Sequence, residues 1–210
     1  MPRRSYDQYC SLSRALDLIG ERWTLLIVRE LLAGPRRYTD LHADLPGVST
    51  DVLAARLKEM ERDGLVGRRR LPPPAAAAVY ELTPRGRDLL PALTALADWG
   101  TAELAGLRPT DAVRAHWSAL PLMRRLTELA SPCEGIVNVQ LDDGAFHVLL
   151  SDAGPSYGHG PAGHPDAELA LDSQACLAVL RGEASLPELI KTGQVRLDGD
   201  SSLAQVLRGQ

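Results

Sequence analysis

Phenylalanine occurs once in this chain of 210 residues, and aromatic residues make up only 4% of it. A flat ligand would therefore find few stacking platforms, and Trp117 is the best of them in the second half. Lysine is nearly as scarce, at two residues against 21 arginines, a bias that fits a GC-rich genome and carries no functional weight. The three cysteines, Cys10, Cys133 and Cys176, are widely spaced and odd in number. That excludes a disulfide framework and a zinc pattern. No apolar run approaches the roughly 18 residues of a membrane span. The start, MPRRSYDQYC, has charge but no apolar core of a secretory signal. A cytoplasmic protein with no membrane partner is the expectation.

What is present is a packable chain, 45% hydrophobic, with a net charge of −4. Such an acidic balance argues at first against a nucleic-acid partner. The distribution changes that. Residues 1–105 hold 15 Lys and Arg against 14 Asp and Glu, whereas residues 106–210 hold 8 against 13. Within residues 68–87, Arg68, Arg69, Arg70, Arg85 and Arg87 face Glu81 alone. Local basic surface governs phosphate contact more than the whole-chain balance does.

The first half reads as helix, turn, helix, basic strand, loop, strand, helix. Leu12, Ala15, Leu16 and Ile19 recur at helical spacing up to Gly20. Trp23 to Leu31 continues a second helix, stopped by Gly34-Pro35. A short third helix is expected over Tyr38 to Leu45, with Arg36 and Arg37 beside its start as phosphate contacts. Ser49 is a good N-cap for a fourth helix. Leu53, Leu57 and Met60 form its apolar stripe and leave Thr50, Asp51, Ala54, Ala55 and Lys58 on other faces, with Arg56 at the flank. One side packed and one side free is what a recognition helix needs to enter a major groove about 12 Å wide. Leu65 to Arg70 and Val79 to Leu82 then make a hairpin wing, with Arg68, Arg69 and Arg70 in its stem. Thr83-Pro84 opens a last helix, whose wide apolar face (Leu89, Leu90, Leu93, Leu96, Ala97, Leu104) predicts dimerisation. The candidate DNA-binding set is Arg36, Arg37, Ser49, Thr50, Asp51, Ala55, Arg56, Lys58, Arg68, Arg69 and Arg70.

These residues resemble the HxlR-type helix–turn–helix regulators, relatives of the MarR group. The resemblance covers about residues 8–100. Cys10, GERWTLLIVRELLAGPRRYTDL, VLAARLKEMERDGLV, YELTPRGRDLLP and Asp98-Trp99-Gly100 carry it, in order and with matching spacing. It implies a homodimeric winged helix on a pseudo-palindromic double-stranded operator. Two departures stand out. Ala54-Ala55 replaces polar residues in the recognition helix, and the wing tip is proline and alanine. Cys10 sits where some members resemble redox sensors, and Arg3, Arg4 and Arg14 are near it in sequence. The competing reading is a small packing residue near a dimer seam.

Gly106-Leu107-Arg108-Pro109 marks a boundary between domains 1–105 and 106–210. A helix is expected over Asp111 to Ala130, kinked at Pro121. Gly135 to Leu141 alternates as a half-buried strand, and Asp142-Asp143-Gly144 turns the chain back. A Gly- and Pro-rich surface loop is expected over about Asp152 to Pro165, then a strand to Asp172 and a helix capped by Ser173. Tyr157, His159, His164 and Asp166 lack metal spacing. His116, His147 and Cys133 have no partner pattern that marks a catalyst. The expectation is no catalytic residue, no cofactor and no metal. The closing LAVLRGEASLPELIKTGQVRLDGDSSLAQVL resembles the end of sterol-carrier-protein-2-like domains. That implies an α/β domain around an apolar cavity, with Trp117 as a ligand candidate.

The fold class expected is thus α+β, a winged helix–turn–helix followed by an α/β domain. The functional expectation is a DNA-binding regulator, a repressor answering a small hydrophobic effector or a redox signal. The alternative is a carrier of lipid-like molecules with DNA binding secondary.

Overall fold

The computed structural model describes residues 5–73, 77–104 and 108–210. Arg3, Arg4, the wing-tip residues 74–76 and the boundary residues Gly106-Leu107 lie outside the described residues. The contacts divide the chain into two units, Met1–Leu90 and Pro91–Gln210.

The first unit runs α1 (Ser11–Ile19), α2 (Thr24–Leu32), β1 (Arg36–Arg37), α3 (Tyr38–Ala43), α4 (Thr50–Arg62), β2 (Val66–Arg70), β3 (Ala78–Leu82) and α5 (Pro84–Arg87). Ile27, Val28, Leu41, Leu53, Leu57 and Met60 are fully buried and hold the helices together. Gly64, at φ +69°, ends α4 in the left-handed region where a side chain would be strained. The strands pair antiparallel in the order β1-β3-β2. Arg36 and Arg37 therefore lead into α3 as expected, with Arg37 as its N-cap, and also form a third strand of the wing sheet. They pair antiparallel with Tyr80 and Val79 of β3, a partner that local sequence does not reveal. α1 forms as expected, yet Leu12 is 66% exposed and Leu16 39%. Its apolar stripe does not face the core of its own unit.

The expected long helix after Thr83 is two helices. α5 stops at Arg87, and α6 (Leu90–Thr101) starts afresh. Pro91 explains the break, because proline offers no N–H for a continuing helix but is tolerated in a first turn. Leu104 lies beyond α6.

The second unit contains most of α6, a 3-10 turn (Ala115–Ser118), α7 (Ala119–Ala130), β4 (Gly135–Leu141), β5 (Gly144–Leu150), β6 (Ser156–His159), β7 (Ala167–Leu171), α8 (Ser173–Arg181), α9 (Leu186–Lys191), β8 (Arg196–Asp198) and α10 (Ser202–Leu207). The helix expected from Asp111 begins only at this 3-10 turn. Asp111 instead accepts from the Arg108 N–H at 2.9 Å. Pro121 then falls in the first turn of α7, so it causes no kink. The sheet order is β6-β5-β4-β7-β8, with β4 and β7 parallel and the other pairs antiparallel. Val137, Val139, Phe146, Val148 and Leu169 are buried on one face, and α7 crosses β5 and β6 and packs on α8 and α10.

The segment expected to be a surface loop contributes the edge strand β6, where Tyr157 is buried. The chain after it folds over the second face of the sheet. Asn138 accepts from the Ala162 N–H at 2.7 Å and donates back to the Ala162 carbonyl at 3.1 Å. His147 Nδ1 lies 2.9 Å from the Gly160 carbonyl. Asp172, not Ser173, caps α8, accepting from the Ala175 N–H at 2.7 Å. Ser173 is engaged by Asp142 instead.

Candidate nucleic-acid interface

α4 is fixed at its N-terminal end and along its back. The Ser49 hydroxyl accepts from the Val52 N–H at 3.3 Å. Tyr38, from α3, donates its hydroxyl to the Thr50 carbonyl at 2.7 Å. Leu53, Leu57 and Met60 anchor the buried side. Asp51, Ala54, Ala55, Lys58 and Arg62 are exposed on the other, and Val52 is also exposed. Arg56 is not part of that open face. Its side chain lies against Glu59 at 2.5 Å and Glu21 at 3.4 Å and is only 17% exposed. Glu21 draws it toward the start of α2, and Glu59 holds it along α4.

The wing presents its arginines unequally. Arg68 lies over the Tyr80 ring, 5.8 Å from its centroid. Arg69 is shared with Glu81 at 3.2 Å. Arg70 is exposed at the end of β2, and Arg37 is exposed on β1. Arg36 is half-buried in an ion pair with Asp44. The Glu59 partner of Arg56 could be read from helical spacing, at i+3. Asp44 and Glu21 could not, because only the folded turns bring them near.

Cys10 is exposed at the N-cap of α1. The nearby Ser13, through its backbone N–H first and its hydroxyl second, favours the thiolate and lowers the thiol below its usual value. The sequence pointed to arginines for that role. Arg14, however, turns to Asp17 at 3.6 Å and to Ser5 at 3.5 Å. Tyr6, Tyr9, Leu12 and Leu16 surround this end of the chain as exposed apolar side chains.

In the second unit, Leu104, Val113, Ser118, Ser173, Cys176, Leu177 and Leu180 line an open apolar groove of about 200 Å³. Trp117, the expected ligand platform, is not among these residues. It is half-buried, with the Arg114 guanidinium 6.0 Å from its ring. Cys176 is buried, and that burial pushes its thiol up to about 11. Asp166 serves the backbone, accepting from the Ile136 N–H at 2.8 Å. His159 stands edge-on to His116, at 4.6 Å between ring centroids. Cys133 borders a small polar hollow with Glu134, Ser151 and Asp152. No helix among the described residues is long and apolar enough to cross a membrane.

Residues 18–106 match the profile of the HxlR-like helix-turn-helix family, and residues 120–209 match that of the SCP-2 sterol transfer family. The chain is 40% identical over 88 residues to the uncharacterized HTH-type transcriptional regulator YvaP of Bacillus subtilis (strain 168), a match spanning 42% of this chain and 82% of YvaP. It is 34% identical over 88 residues to the HTH-type transcriptional regulator YodB of the same organism, spanning 42% of this chain and 79% of YodB. Among solved structures, the reduced form of YodB from B. subtilis superposes with a TM-score of 0.41 at 31% identity, covering 50% of this chain and 100% of that one. The redox regulator HypR in its oxidized form gives 0.42 at 28% identity, covering 44% and 96%.

Proposed function

Because the chain belongs to the HxlR-like helix-turn-helix family of transcriptional regulators, we propose that it is a cytoplasmic repressor that binds a pseudo-palindromic operator as a homodimer. The observation that carries this reading is α4, whose back is buried and whose front, from Asp51 to Arg62, is open to solvent. That front enters the major groove. Ser49 and Thr50 sit at its leading end, where helix N–H groups face the backbone of the duplex. Arg37, Arg68 and Arg70 contact phosphates, and Arg69 joins them when Glu81 releases it. Arg36 and Arg56 act indirectly, holding α3 and α4 in place through Asp44, Glu21 and Glu59.

The dimer is supported by apolar side chains that no soluble monomer needs outside: Tyr9, Leu12 and Leu16 in the first unit, Leu96 and Trp99 in the second. Cys10 lies beside the first group and acts as the redox-sensing thiol. The domain from 106 to 210 takes a small hydrophobic effector or braces the dimer. An effector acts only by favouring one spacing of the two recognition helices.

Binding to the chain's own upstream DNA over a salt series tests the reading. Arg70→Ala and Arg37→Ala are each expected to weaken all duplexes alike and to lower the salt slope by about 0.9 per lost phosphate contact. Wild-type slopes in both variants would remove the assigned contacts. An oxidant is expected to release DNA from the wild type but not from Cys10→Ser.

A second reading, a carrier of lipid-like molecules, is favoured by the match to the SCP-2 sterol transfer family and by the groove beside Cys176. It predicts stoichiometric uptake of a fluorescent fatty acid that operator DNA does not alter.

A further inference from the structure

On an α-helix of 3.6 residues per turn, Asp51, Ala55, Lys58 and Arg62 fall on one line, at i, i+4, i+7 and i+11. This line is opposite the buried Leu53, Leu57 and Met60. Ala55 therefore stands near the middle of the exposed face, with a carboxylate before it and two cations after it. Ala54 and Val52, both exposed, flank it with further apolar surface. Arg56, next to Ala55 in sequence, is drawn off by Glu21 and Glu59 and does not cover this centre.

A methyl group at the centre of the face has two consequences. Its small size lets the helix backbone approach the floor of the groove. It also offers no hydrogen bond to the base beneath it. Guanine, adenine and cytosine present polar edges there, which would lose water and gain no partner. Thymine presents its C5-methyl, which a side-chain methyl covers favourably. Asp51, an acceptor only, requires a donor, and the amino group of cytosine supplies one. Lys58 is a donor only and matches guanine O6 and N7.

We propose that each operator half-site is read at its centre through the 5-methyl of a thymine packed on Ala55, with Asp51 and Lys58 reading the flanking C·G pairs. This rests on the DNA-binding reading of α4 above.

The experiment has two stages. Full-length protein first selects duplexes from a random library. The recovered sequence is then synthesised with deoxyuridine in place of each thymine in turn, which removes one methyl and leaves base pairing intact. The wild type is expected to bind about fourfold more weakly when one particular thymine per half-site is replaced, the effect of one buried methyl. In Ala55→Gly that penalty disappears. Ala55→Ser, which keeps a better helix former at the position, serves if the glycine variant does not fold. It too is expected to flatten the difference between thymine and deoxyuridine. Selected sites that are indifferent to deoxyuridine everywhere, or a penalty equal in wild type and both Ala55 variants, overturn the inference while leaving DNA binding intact. Failure to select any sequence overturns the DNA-binding reading and the inference with it.

Discussion

Two thiols in this chain have opposite chemistry because their surroundings differ. Cys10 is exposed and its thiolate is favoured by Ser13, so it reacts below the usual thiol range. Cys176 is buried among apolar residues, and its thiol titrates at about 11. Iodoacetamide at pH 7.5 is expected to label Cys10 and to leave Cys176 unlabelled until the protein unfolds, as mass spectrometry of tryptic peptides would report. Labelling of Cys176 first would contradict the assignment. The raised value also fixes a sign. Between about 9 and 11 the folded state keeps a proton that the unfolded state releases. Stability therefore falls as pH rises through that window, by up to roughly 2–3 kcal/mol from this one group. Cys176→Ala is expected to flatten that alkaline decline in urea titrations, although it lowers stability at neutral pH. The position of these cysteines was legible in the sequence, but their environments were not. Burial and a donor at Ser13 are products of the fold, whereas the arginines near Cys10 in sequence turned out to serve Asp17 or to lie outside the described residues.

At the level of elements, the helices with caps were the easiest to read. Ser49 before a period of Leu53, Leu57 and Met60 gave both the start of α4 and its buried side, since a hydroxyl cap and a 3.6-residue stripe are local signals. Strands were missed where their signal lies in a partner. Arg36-Arg37 is a strand only because β3 offers a free edge, and Ser156–His159 only because β5 does. The break between α5 and α6 was present in the sequence as Pro91, masked by a continuous apolar pattern on either side. Two substitutions measure what these elements contribute. Ser49→Ala is expected to cost about 1 kcal/mol through the lost cap. Gly86→Ala is expected to cost about 3 kcal/mol, the upper range for overpacking. An added Cβ there would sit 2.2 Å from the Leu65 carbonyl oxygen, a backbone atom that cannot step aside. Chemical denaturation of both variants checks the ranking, and an equal cost would refute it.

For the whole molecule, the uneven charge and the exposed apolar groups make separate demands. The first 105 residues carry a net charge of +1 and the remainder −5. A partner with many phosphates is therefore repelled by the second half and meets locally basic surface only in the first. Leu12 and Trp99, at 66% and 78% exposure, require cover. Leu12→Asp and Trp99→Asp are each expected to shift the mass in sedimentation toward a monomer, with circular dichroism unchanged. Persistence of a dimer in both would move the interface elsewhere. A last consequence follows from β1. This strand ties the wing sheet, through β3, directly to α3, and Tyr38 at the head of α3 bonds to the carbonyl of Thr50 at the head of α4. The wing and the recognition helix thus behave as the two jaws of one stiff caliper. On the proposed interface neither jaw adjusts without the other, so a duplex with altered groove spacing is expected to bind more weakly even when its bases are correct.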